Sequence, residues 1–274
     1  MPKRLPSVLL LPLLLLGAPA AAQSPAERLL ELTNEQRWLN GQLPPLKGEV
    51  LLQGAAAAHT SAMATRDFFM HCDPDTGKSP FVRMTDAGYF YSSAAENIIA
   101  GYSTPETAIL GWMSSSGHRA NILSTTYREI GIGHAFQAND AGNVRFGNGC
   151  SVTSSNDGPY GHYWTQKFGR RESVFPLVIA REAYQVLSCN VPVYSYGTGW
   201  ASEMRFSLDA LQWSAWQPFS THSNHSLRGS SGSTATLHVQ LRSGGTTRAA
   251  QDSVRLAIDC NPGAPGSFFL DGFE

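Results

Sequence analysis

The apolar residues of this chain change period along its length, and the order of those changes limits its fold more than any other feature. Up to about Met113 the spacing is helical. Leu29, Leu32 and Gln36 share one face behind Ser24-Pro25-Ala26-Glu27, a capping box with proline at the first helical position. This predicts a helix to about Leu39, ended by Gly41 and Pro44-Pro45. A second helix is predicted over 49–69. It is alanine-rich at 55–58, so a neighbour packs closely against it. Ser79-Pro80 opens a third that Gly88 stops, and Thr104-Pro105-Glu106 opens a fourth. From Ile130 the period is two: Ile130, Ile132, His134 and Phe136 alternate with Gly131, Gly133 and Ala135. Residues 144–146 and 163–168 are further strand candidates. Helices first and an antiparallel sheet after read as an α+β domain over 23–171.

From Ser173 the texture is different. There are no lysines and no helical period. Strand-like runs at 177–179, 185–187, 204–206, 236–241 and 253–258 are separated by Gly/Ser turns such as 229–232 and Gly244-Gly245. That spacing predicts an antiparallel β-sandwich over 172–262, with Trp200, Trp213 and Trp216 supplying its core. Residues 263–274 read as linker and aromatic tail.

The first residues carry a different signal. Lys3 and Arg4 precede a leucine-rich run over 5–16, and Ala20-Ala21-Ala22 has the small-x-small form that signal peptidase accepts. Residues 1–22 read as a cleaved secretory signal. The apolar run is too short for a membrane span and is interrupted by Pro12 and Pro19. No later segment is a candidate span. The expected location is secreted or extracellular, in the periplasm or at the cell surface. Only 15% of the residues are charged and the net charge is −1, so nothing points to nucleic acid or to an anionic membrane surface. Export gives Cys72, Cys150, Cys189 and Cys260 an oxidising environment. Four cysteines allow three pairings. With two domains the economical pairing is Cys72–Cys150 and Cys189–Cys260, each closing a long loop at about 4 kcal/mol in the chain-entropy model.

No nucleophile elbow, His-Glu-x-x-His or P-loop is present. The chemistry-bearing candidates are His71 in Phe69-Met70-His71-Cys72-Asp73, Glu96 in Ala95-Glu96-Asn97, and His118 in Ser116-Gly117-His118-Arg119. Two imidazoles and a carboxylate suit zinc or a similar divalent ion with open positions, or acid/base work. His59 reaches such a site only if its helix points there. His134, in an alternating strand, reads as packed or solvated.

Residues 28–169 resemble the CAP superfamily of cysteine-rich secretory proteins, antigen 5 and pathogenesis-related 1 proteins, in its bacterial branch. The matching text runs in order: Asn34-Glu35-Gln36-Arg37, Leu43-Pro44-Pro45-Leu46, Phe69-Met70-His71, Arg83, Gly88-Tyr89, Glu96-Asn97-Ile98, Trp112-Met113-Ser114-Ser115-Ser116-Gly117-His118-Arg119-Ala120-Asn121-Ile122-Leu123, Glu129-Ile130-Gly131-Ile132-Gly133 and Tyr163-Trp164-Thr165-Gln166. The resemblance implies a three-layer α-β-α sandwich. It also implies a cavity tetrad of two histidines and two acids. His71, Glu96 and His118 match three of its positions, and Ser115 stands where the second acid would be. The segments 203–207, 213–219 and 236–242 are similar to bacterial immunoglobulin-like modules, which carry no chemistry.

These features imply a secreted binding protein, its His71/Glu96/His118 cavity taking a divalent metal such as zinc, or a small or lipidic ligand lying in a neighbouring groove. No catalytic residue is assigned. The alternatives are an extracellular metal-dependent hydrolase and a cell-surface adhesion module.

Overall fold

The computed structural model describes residues 22–262. The signal reading, apart from Ala22, and the tail at 263–274 lie outside the described residues. In chain order the elements are α1 Pro25–Leu39, β1 Lys47–Gly48, α2 Val50–Thr65, β2 Phe68–Phe69, α3 Pro80–Asp86, β3 Ser93–Ala100, α4 Pro105–Ser114, α5 Ser116–Leu123, β4 Glu129–Phe136, β5 Val144–Asn148, β6 Ser151–Asp157 and β7 His162–Arg170. They continue with β8 Leu177–Ile179, β9 Gln185–Val186, β10 Asn190–Ser195, β11 Glu203–Ser207, β12 Gln217–Pro218, β13 His222–Ser226, β14 Thr234–Ser243 and β15 Thr246–Leu256. Among the described residues no helix is long and apolar enough to cross a membrane.

The helix starts follow from their caps. Ser24 and Thr104 each close a capping box in front of a proline, and Ser79 accepts from the Val82 amide. The second helix starts behind Glu49, whose carboxylate accepts from the Leu51 and Leu52 amides. It ends at Thr65, four residues short of the expected 69. Asp67 takes a left-handed φ of 51° there, and Phe68 and Phe69 leave to pair with β5.

The first part of the chain is a three-layer α-β-α sandwich. A four-stranded sheet in the order β1-β4-β7-β3 forms its middle. On one face α1, α4 and α5 bury Leu29, Ile109, Trp112 and Ile122 against Ile130, Ile132, Trp164 and Phe168. On the other lie α2 and α3, with Met63, Phe68 and Met70 packed on Ile98 and Tyr163. The contact predicted for the alanine run is real: α2 lies directly on β4. A Cβ on Gly131 would sit 2.1 Å from the Leu52 carbonyl carbon, and one on Gly133 2.5 Å from the Ala56 oxygen. A three-stranded sheet, β2-β5-β6, flanks this layer and is tied to the loop after β2 by the Cys72–Cys150 disulfide.

The second part has two sheets, β13-β10-β8 and β12-β11-β14-β15-β9, sharing one apolar cluster. Val178, Val191 and Val193 from the first meet Met204, Leu237, Val239 and Leu256 from the second. Cys189–Cys260 closes it, so each part holds the one bridge expected of it. The tryptophan expectation needs correction. Trp200 packs against this cluster, but Trp213 and Trp216 lie outside the sheet, where Arg205 stacks on both and Arg242 on Trp216. The alternating strand already fills the inward face with Met204 and Phe206, which leaves the indoles only the outer one.

The two parts meet at a strained turn. Ala180, Arg181 and Glu182 have φ of 45°, 57° and 63°, a left-handed conformation that costs about 1–2 kcal/mol per non-glycine residue. The turn sets Arg181 over the Trp38 ring and brings Glu182 to Lys47 at 2.8 Å, where Asp252 also pairs with the ammonium. The Tyr196 hydroxyl donates to the Pro45 carbonyl across the same seam.

Candidate functional site

The site forms where β3 makes the edge of the central sheet, so that segments from both helical layers reach around it. Glu96 lies in the middle of β3 and is opposite Lys167 of β7 in the antiparallel register. The Lys167 side chain is fully buried and its Nζ donates to Glu96 Oε2 at 2.5 Å. Arg83 of α3 donates to the same oxygen at 3.0 Å and to Oε1 at 3.3 Å. His71 Nδ1 lies 2.9 Å from Glu96 Oε1. Burial alone would raise the Glu96 carboxyl. Lys167, His71 and Arg83 outweigh it and hold the group far below the usual carboxylate range. Burial also pulls the Lys167 ammonium down to about 8, against the opposing pull of Glu96. Glu96 is therefore a fixed anion at neutral pH.

The loop bearing His71 is held from three sides. Arg83 donates to the His71 carbonyl at 2.7 Å. His59, buried on α2, sets Nε2 3.0 Å from the Met70 carbonyl. Burial lowers the His59 imidazole to about 3, so the ring is neutral and donates that hydrogen bond. The disulfide at Cys72 anchors the next residue. The imidazole of His71 is left half-exposed above a rigid base.

His118 comes from α5, on the other side of the edge strand. Asn97 Nδ2 donates to the His118 carbonyl at 3.1 Å and to Gln166 Oε1 at 3.0 Å. Asn121 Nδ2 returns a bond to Asn97 Oδ1 at 2.9 Å, and Gln166 reaches Thr33 of α1 at 2.9 Å. Alternation along β3 and β7 thus sends Glu96 and Lys167 to one face and Asn97 and Gln166 to the other. One pair fixes His71, and the other fixes the helix of His118. Burial, and then the nearby His71, lowers the His118 pKa.

Of the residues expected in this cavity, His71 and Glu96 are in direct contact and His118 lies close enough to His71 for their charges to interact. Ser115 joins α4 to α5 and makes no side-chain cap bond. Among the described residues no group of three or more His, Cys, Asp or Glu is arranged to hold a metal ion. Both oxygens of Glu96 already face cationic donors, and a dication would have to displace a lysine and an arginine. To act as a direct ligand beside His71 and His118, Glu96 would have to leave these ion pairs. Two residues that shape the site have no role in the sequence reading: Lys167, and Arg83 beyond its place in the matching text. Lys167 had a signal. It is the one charge within the otherwise uncharged 162–169, inside a strand buried on both faces, where a lysine requires a partner. His134 and His162 are elsewhere, in a column with Trp164 at the end of β4 and β7.

Comparison with known proteins finds matches to the first part of the chain. The sequence model of the cysteine-rich secretory protein family, CAP, matches residues 30–168, half of the chain. The uncharacterized protein YkwD of Bacillus subtilis is 38% identical over 118 residues, 43% of this chain and 45% of its own length. The uncharacterized membrane protein YlbC of the same organism is 30% identical over 107 residues, 39% of this chain and 30% of its own. The chain thus spans less than half the length of either relative. Among solved structures, an extracellular protein containing a SCP domain from Bacillus anthracis is 26% identical, with a TM-score of 0.42, covering 54% of this chain and 40% of that one. A cysteine-rich secretory protein from Staphylococcus aureus is 23% identical, with a TM-score of 0.35, covering 53% and 39%.

Proposed function

The chain belongs to the cysteine-rich secretory protein (CAP) family, and on that premise we propose that it is an exported binding protein whose His71/His118 pair takes a divalent ion, zinc foremost. The observation that carries this reading is the 2.9 Å contact between His71 Nδ1 and Glu96 Oε1. A carboxylate behind a ring nitrogen fixes the tautomer, places the proton on Nδ1 and leaves the Nε2 lone pair facing outward. Glu96 then acts as the group that orients a ligand, which is compatible with its own ion pairs to Lys167 and Arg83. His71 and His118 are the residues that would hold the ion. Bound there, a divalent ion supplies a Lewis acid with open positions for a further ligand.

Export is supported by the signal-like residues 1–22 and by two disulfides. The paired sheets of 172–262 suit an immunoglobulin-like module that presents the first part. Binding is favoured over hydrolysis because the one carboxylate of the site is held as an ion-paired anion. It is not available as a general acid or base. Calorimetric titration with zinc tests the reading. The wild type gives a saturable heat that His71→Ala and His118→Ala each abolish. Equal heats in all three proteins overturn it.

A further inference from the structure

After β7 the chain crosses from the first part to the second, and a cleft of about 350 Å³ lies at the crossing. Its walls come from both sides. Arg128 and Arg170 flank the central sheet, Glu172 belongs to the crossing, and Phe175, Trp200 and Arg248 belong to the second part. Three guanidiniums against one carboxylate give the lining a net charge of +2, in a chain whose total is −1. The carboxylate does little to offset this. Glu172 is three-quarters exposed and 3.8 Å from Arg170.

Several arginines outside this cleft are neutralised by acids or held by carbonyls. Arg83 is bound to Glu96, Arg171 to Glu129, and Arg66 to Asp73 and Asp75. The buried Arg37 is held by the carbonyls of Pro44, Ile122 and Ser124. Among the described residues neither Arg128 nor Arg248 makes an ion pair, and the Arg170 Nε is buried without a hydrogen-bond partner. Arg128 is nevertheless fixed in place. It donates to the Val174 carbonyl at 2.9 Å and lies over the rings of Phe175 and Tyr196 at 5.1 and 5.6 Å. Trp200 stacks on Phe175 at 4.8 Å and carries Arg248 at 6.0 Å above its ring. Guanidinium groups stay charged in such a setting, and an anion between Arg128 and Arg170 would relieve the repulsion between them. Their planar forks match oxygens of carboxylate or phosphate.

We propose that this cleft binds an oxyanionic ligand, through a phosphate or carboxylate group, and that the site is complete only when the two parts of the chain are packed together. It shares no residue with the site at the β3 edge. The second part of the chain then contributes Arg248 and the aromatic floor to a composite site as well as acting as a spacer.

The test uses the full chain and the indole Nε1–H resonance of Trp200, assigned by its disappearance in Trp200→Phe. Inorganic phosphate and malonate are titrated in separate arms at constant ionic strength, with chloride as the control. The expected result is a saturable shift of that resonance with at least one of the two anions and none with chloride; the arm that responds identifies the group recognised. Arg248→Gln, at an exposed position, and Arg170→Gln each weaken that binding at least ten-fold. A wild type that responds to neither anion, a response matched by chloride, or unchanged affinity in Arg248→Gln would overturn the proposal.

Discussion

The two parts of the chain treat charge in opposite ways. The first buries it: Glu96, Lys167, Glu129 and Arg37 all lie inside the α-β-α layers. The second keeps an apolar interior, with Arg205 and Arg242 stacked on indoles outside the sheet and Asp252 as its buried acid among the described residues. A buried ion pair adds little net stability, because desolvation offsets the attraction. The charges of the first part are better explained by position. Glu96 and Lys167 fix the His71 ring at the β3 edge, Arg37 holds the carbonyls of Pro44, Ile122 and Ser124, and Glu129 ties Tyr89 to Arg171. The second part obtains most of its stability from apolar burial, with one disulfide and an outer arginine–indole ladder added to it.

The largest effect that sharpens this contrast comes from breaking one pair. Lys167→Ala leaves Glu96 buried with Arg83 as its remaining formal cation. Urea unfolding should show a loss of about 3–5 kcal/mol. Glu96→Leu with Lys167→Met replaces both charges with apolar groups. It should recover most of that stability and still lose the zinc heat. A double variant as unstable as the single one would break the comparison. In the second part, Leu241→Ala removes fully buried apolar volume and should lose about 2–5 kcal/mol, with zinc binding unchanged.

The seam gives a pH dependence of defined sign. One ammonium, Lys47, faces two carboxylates, and burial, with Asp252 next to it, pushes Glu182 up to about 8. A folded-state pKa raised above the unfolded value of 4.5 makes this contribution to stability full below pH 4.5. It is lost as pH rises through about 8. Thermal unfolding from pH 5 to 8 should show a loss in the wild type that is reduced in Glu182→Gln. An identical profile in both would remove Glu182 from the account. The smallest effect belongs to the outer ladder. Arg205→Ala gives up stacking on Trp213 and Trp216 and should lose about 0.5–1 kcal/mol.

What could be read from sequence follows the same division. Helix starts were legible because serine and threonine caps with proline are local signals, and β4 was legible because one of its faces carries glycines. The strand β3 was not. Ser93–Ala100 is buried on both faces through its middle, so it shows no alternation, and its strand state comes from pairing with β7. His71, Glu96 and His118 were singled out by residue type and matched to the family text, but neither says what Glu96 faces. The answer required the register that sets it opposite Lys167. Trp213 and Trp216 misled for a related reason: an aromatic residue suits a core and an arginine ladder equally, and only strand register decides between them.

The central claim is that His71 and His118 hold the ion while Glu96 stays on Lys167 behind them. Anomalous diffraction at the zinc edge, on crystals of the full chain grown with zinc, tests it most directly. The account predicts an anomalous peak bonded to both histidines, with Glu96 still paired to Lys167 and Arg83. A peak bonded to Glu96 turned away from Lys167, or no peak at the two histidines, would contradict it.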